Sequence, residues 1–77
     1  MSADVKVQGT LKNAPHVKYT TTRLGTTYSF YSSGKQVSIQ LIRTNGKVEY
    51  QNANLPDTIS PQLRIDLGKV RRHFAKQ

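Results

Sequence analysis

Apolar and polar residues alternate with period two through Val37, Ile39 and Leu41, with Ser38 and Gln40 between them, and again through Val48 and Tyr50 between Lys47 and Glu49. Asn45-Gly46 separates the two runs. Asn-Gly accommodates the two positive φ angles of a type I′ turn, so the segment predicts a β-hairpin. Centred on that turn, Thr44 faces Lys47, Arg43 faces Val48, Ile42 faces Glu49 and Leu41 faces Tyr50. This register puts Val37, Ile39, Leu41, Val48 and Tyr50 on one face of the sheet, which is expected to be buried.

Upstream, residues 26–31 are β-branched and aromatic, and Ser32-Ser33-Gly34-Lys35 reads as the turn into the next strand. Gly25 interrupts the preceding run, so residues 17–24 are either another hairpin arm or the start of one long bent strand. Val5, Val7 and Leu11 alternate with polar residues, and Asn13-Ala14-Pro15 is expected to end that run. The pattern predicts an antiparallel meander of about four to five strands within residues 5–51.

A change of period follows. Gln51-Asn52-Ala53-Asn54 is polar, and Leu55-Pro56-Asp57 is expected to lead out of the sheet. Ser60-Pro61 reads as a helix start: the Ser hydroxyl accepts from first-turn amides, and Pro at the first helical position gives up a donor that had no partner. Leu63, Leu67, Val70 and Phe74 then recur at spacings of four, three and four, within one helical stripe. A helix of roughly 14 to 16 residues, about 61–75, is expected. Residues 62–67 also alternate with period two and Gly68 weakens a helix, so a strand over 62–67 is the competing reading. The expected fold class is α+β: the antiparallel meander with one C-terminal amphipathic helix packed on one face, a single small domain over 1–77.

Charge adds a partner to this architecture. Twelve Lys and Arg stand against four Asp and Glu, a net charge of +8, and seven cations lie between Asp4 and Glu49 with no acid among them. A small domain with so little internal neutralisation repels itself and is rationalised by a polyanionic partner whose counterions it displaces. A 77-residue chain also has a thin core, worth only about 3 to 5 kcal/mol, which ligand binding or homo-oligomerisation would support. With no Cys, a disulfide framework and a thiolate site are excluded. There is no apolar run of membrane-span length, and the polar start at Met1-Ser2-Ala3-Asp4 is unlike a signal peptide, so a soluble cytoplasmic protein without membrane contact is expected.

Three groups of residues are candidates for the binding surface. On the helix, Arg64, Lys69, Arg71, Arg72 and Lys76 occupy the arc away from the apolar stripe, with Asp66 the only nearby acid. Cations favour helix C-termini through the macrodipole, which accounts for some of them but not for the missing acids. On the sheet, alternation sends Tyr28 and Phe30 to the covered face and Thr27, Ser29 and Tyr31, with Ser38 and Gln40, to the open one. Tyr31, and Tyr19 if it also faces outward, could stack bases there. At the hairpin tips, Lys35 and Lys47 can reach phosphates, and they agree in sign with Lys12, Lys18, Arg23 and Arg43.

Catalytic patterns are thin. The four acids are dispersed, and no spacing suggests a metal cage or a paired carboxylate site. His16, in an expected loop, and His73, near the chain end, could act as acid and base of a small metal-free ribonuclease or toxin, but nothing in the spacing brings them together. The expected function is therefore non-catalytic, cofactor-free binding of nucleic acid, single-stranded DNA or RNA ahead of duplex because no helix carries the Asn, Gln and Arg set that reads major-groove edges. The alternatives are that ribonuclease and an interaction protein docking an acidic protein partner.

Overall fold

The computed structural model describes residues 5–77, with side chains from residue 7 onward. The polar start at residues 1–4 and the side chains of Val5 and Lys6 lie outside that range. Strands β1 (Val5–Leu11), β2 (Ala14–Thr22), β3 (Gly25–Ser32), β4 (Lys35–Thr44) and β5 (Lys47–Asn54) precede one helix, α1 (Pro61–Ala75). The strands form one antiparallel sheet in sequence order, so the fold is the expected α+β meander with a C-terminal helix.

Turn chemistry sets the registers. Asn45 (φ 54°) and Gly46 (φ 81°) make the β4–β5 turn, and Ser33 (φ 53°) and Gly34 (φ 78°) the β3–β4 turn. Both pairs have the positive φ values of type I′ geometry, whose twist matches the flanking strands. Thr44 pairs with Lys47, Arg43 with Val48, Ile42 with Glu49 and Leu41 with Tyr50, as the alternation predicts. Residues 17–24 belong to a separate hairpin arm, closed by Arg23-Leu24, with Thr22 paired to Gly25. The Thr22 hydroxyl accepts from the Leu24 amide at 3.1 Å, a local bond typical of Thr in tight turns.

Two boundaries differ from the sequence pattern. β5 continues through Asn54, past the expected limit at residue 51, by means of a bulge opposite the Gln40–Leu41 step. Its polar residues need no burial on an edge strand, and the Asn52 amide donates to Gln40 Oε1 at 3.0 Å. The first run ends at Leu11 before Asn13, as expected, but Ala14 and Pro15 already belong to the next strand: β2 begins at Ala14, and an irregularity beside Leu11 absorbs Pro15, which has no amide to donate. His16 consequently lies on a strand rather than in a loop.

The core is the layer between the sheet and α1. Val17, Tyr28, Phe30, Val37, Ile39 and Leu41 come from β2, β3 and β4, and Leu63, Val70 and Phe74 from the helix. Val48 and Tyr50 occupy the expected face yet remain 41% and 46% exposed. One helix about 10–12 Å across cannot cover a sheet whose five strands lie about 4.8 Å apart. The edge strand β5 is left outside its footprint. Leu67, on the flank of α1 turned away from Asp66 and His73, is only half-buried.

Both ends of α1 are satisfied. The Leu63 amide donates to Ser60 Oγ at 3.1 Å, with Pro61 following the cap. At the other end Arg43 reaches across from β4, and its Nη2 donates to the carbonyls of Phe74 (2.8 Å), Gln77 (3.1 Å) and Ala75 (3.3 Å). Its guanidinium also lies 5.0 Å from the centre of the Phe74 ring. The strand reading of 62–67 would group Ile65 with Leu63 and Leu67, but Ile65 is exposed while Leu63 and Asp66 are buried at helical spacing. No described helix is long and apolar enough to cross a membrane.

Candidate nucleic-acid interface

A second stripe runs along α1 beside the apolar one. Gln62, Asp66, Lys69, His73 and Lys76 recur at spacings of four, three, four and three, which places them on one flank. The first four of them make side-chain bonds. Asp66 is 2% exposed; one carboxylate oxygen accepts from His16 Nε2 at 3.1 Å and the other from the Gln62 amide at 3.3 Å. Lys69 Nζ donates to the Asn13 carbonyl at 2.8 Å, tying the helix to the β1–β2 turn. His16 thus has an acidic partner fifty residues away.

His73 sits among aromatic rings. Its Nδ1 lies 2.8 Å from the Tyr28 hydroxyl, and its ring centroid is 4.4 Å from that of Tyr19. Tyr28 is buried with no other acceptor among the described residues, and burial, reinforced by Tyr19, pushes its phenol well above the usual range. Tyr28 therefore keeps its proton and donates it to Nδ1, which fixes the neutral Nε2–H tautomer of His73. Desolvation first, and Lys76 second, lower the His73 pKa and favour the same neutral form. Tyr19 lies over Gly9, its cross-strand partner, where a Cβ would stand 3.5 Å from the ring. It faces the helix, so it does not belong to the open sheet face.

Between the β1–β2 turn and the C-terminal half of α1 these residues enclose a cleft of about 480 Å³. Lys12, Lys69, Arg72 and Lys76 line it together with Tyr19, His73, Thr10, Leu11 and Asn13, and no carboxylate does. Arg72 folds back over Gly68, where a Cβ would meet its Nη1 at 3.5 Å. A larger cleft of about 640 Å³ at the other end of the helix has one cation, Lys35, offset by Asp57.

The expected site residues divide accordingly. Lys69, Arg72 and Lys76 converge on the basic cleft, joined by Lys12, which the sequence pattern offered only as a cation of agreeing sign because its turn position tells nothing of the helix above it. Arg64 and Arg71 are exposed on α1. Arg43 is occupied in closing the helix C-terminus. Arg23 and Lys47 lie at the two turns of one end of the sheet and Lys35 at the opposite end. Lys18 and Tyr31 share the open face, Lys18 paired with Ser29 and Tyr31 two residues further along β3. Tyr31 is 69% exposed there, among Thr27, Ser29, Ser38 and Gln40.

Among the described residues no Lys or Arg forms an ion pair with an Asp or Glu side chain; the carboxylate of Asp66 meets only His16, at 3.1 Å, and Gln62. The single acid of the helix is thereby buried and committed. The described residues also contain no group of three His, Asp or Glu placed to hold a metal ion. Comparison with known proteins finds no matching family model, no matching curated protein and no matching solved structure.

Proposed function

We propose that this protein binds nucleic acid without catalysis, single-stranded DNA or RNA ahead of duplex, as a cytoplasmic protein. The observation that carries this reading is the lack of carboxylate partners for Lys and Arg, joined to the burial of Asp66, which leaves the outward surface of α1 cationic. Unpaired cations on a rigid element gain most from a partner that releases condensed counterions when they bind. An acidic protein would meet the same charges, but it offers no regular phosphate array and no bases for the aromatic side chains. His16 and His73 are each engaged elsewhere, with Asp66 and with Tyr28. Seven residues of helix, about 10 Å, separate their two anchor points.

Titration of labelled single-stranded and duplex oligonucleotides across a range of salt tests the reading. About 4 to 7 phosphate contacts predict a log–log slope of about −3 to −5 on single strands. The oligonucleotides should also emerge intact on a gel, with and without magnesium. Absence of binding at low salt, or binding indifferent to salt, defeats the proposal. Cleavage abolished by His16→Ala or His73→Ala would establish the ribonuclease instead.

A further inference from the structure

We propose that the cleft between the β1–β2 turn and the C-terminal half of α1 seats one nucleotide of a single strand, its base against Tyr19 and His73 and its flanking phosphates on Lys12, Arg72 and Lys76. The inference rests on the nucleic-acid reading and deepens it by choosing between the two surfaces that could carry it. On the open sheet face Tyr31 is exposed, but its neighbours are Ser, Thr and Gln, with Lys18 the one nearby cation among the described residues. In the cleft, four cations and two aromatic rings share one concave wall.

The geometry suits a base and a phosphate together. The cleft volume of about 480 Å³ falls in the range of about 300–1,000 Å³ of small-molecule sites. The Tyr19 ring lies next to Gly9 and 4.4 Å from the His73 ring centre, so the two rings already sit together without a ligand. The neutral His73 contributes a π surface and an Nε2–H donor instead of a further desolvated charge. Lys69 is partly spent on the Asn13 carbonyl and mainly holds the wall in place. Lys12, Arg72 and Lys76 make no side-chain hydrogen bond or ion pair with the described residues, and remain available to anionic oxygens. A base can enter such a cleft only when it is unstacked from its neighbours, which selects single strands and frayed ends over intact duplex.

Fluorescence anisotropy on a labelled single-stranded oligonucleotide, with an abasic strand of equal length beside it, tests the assignment. Stacking of one base is worth about 1–3 kcal/mol, so Tyr19→Leu should weaken binding about 5- to 150-fold. It should have no such effect on the abasic strand. Arg72→Ala with Lys76→Ala should weaken both strands and flatten the salt slope by about 1 to 2. If Tyr19→Leu fails to fold, the His73 ring protons of the unaltered protein serve instead: a stacked base shifts them upfield on titration, and the abasic strand does not. Normal binding by the cleft variants, with loss confined to Tyr31→Ala or Lys18→Ala, would move the site to the open sheet face and overturn this inference while leaving the functional reading intact. Failure of the unaltered protein to bind any strand at low salt would defeat the functional reading and this site with it.

Discussion

His73 joins the fold to the basic cleft, and its protonation state links stability to pH. Tyr28 donates to its Nδ1, and burial and Lys76 lower its pKa below the ordinary value of the unfolded chain. Between the two values the unfolded chain takes up a proton that the folded protein refuses, so this contribution to stability is present above about pH 6.5 and is lost as pH falls through the folded value. Urea unfolding at pH 7.5 and pH 5.5 should show His73→Gln losing less stability on acidification than the unaltered protein. An equal or larger loss in the variant would count against a neutral His73. Asp66 shows the complementary economy: a carboxylate 2% exposed persists in the core because His16 and Gln62 donate to both of its oxygens.

At the scale of the element, α1 carries two adjoining stripes, apolar over the sheet and polar over β1 and β2. Phe74 belongs to the first and is buried, so Phe74→Ala should cost about 3–5 kcal/mol, while half-buried Leu67→Ala should cost clearly less. Equal losses in denaturant melts would mean that Leu67 is covered more fully than its half-buried position allows. Gly68 sits mid-helix facing only the Arg72 side chain. Gly68→Ala should raise stability by about 0.8–1 kcal/mol through helix propensity, since the added Cβ meets a flexible guanidinium at ordinary contact distance. Gly25 is the opposite case. Its φ of 133° and the nearby Leu41 carbonyl, with which a Cβ would collide, leave no room for a side chain.

For the whole molecule the governing quantity is the net charge of +8, left uncompensated by the absence of Lys or Arg ion pairs among the described residues. Screening relieves self-repulsion and competes with phosphates at once, so salt should act on stability and on binding with opposite signs. Raising NaCl from about 20 mM, where charges interact over more than 10 Å, to about 500 mM should raise the melting temperature while weakening oligonucleotide binding. A melting temperature that falls with salt would require stabilising ion pairs that the described residues do not contain.

Local chemistry was enough to specify the hairpins and the start of the helix. Asn45-Gly46 set the β4–β5 register residue for residue, Ser33-Gly34 set the turn before it, and Ser60-Pro61 marked where α1 begins, because turns and caps depend on neighbours in the chain. The expected apolar stripe was also legible, along with the face Tyr31 takes, since both follow from periodicity alone. The reach of the helix was not. Val48 and Tyr50 lie on the anticipated face but stay exposed, because coverage depends on where a single helix comes to rest on a wider sheet. The pairings His16–Asp66, Tyr28–His73 and Arg43–Phe74 span 50, 45 and 31 residues, and no local pattern announces contacts at such separations. The stripe Gln62, Asp66, Lys69, His73, Lys76 was written in the chain, yet only the sheet beneath it decided that its polar residues face β1 and β2 and enclose a basic cleft.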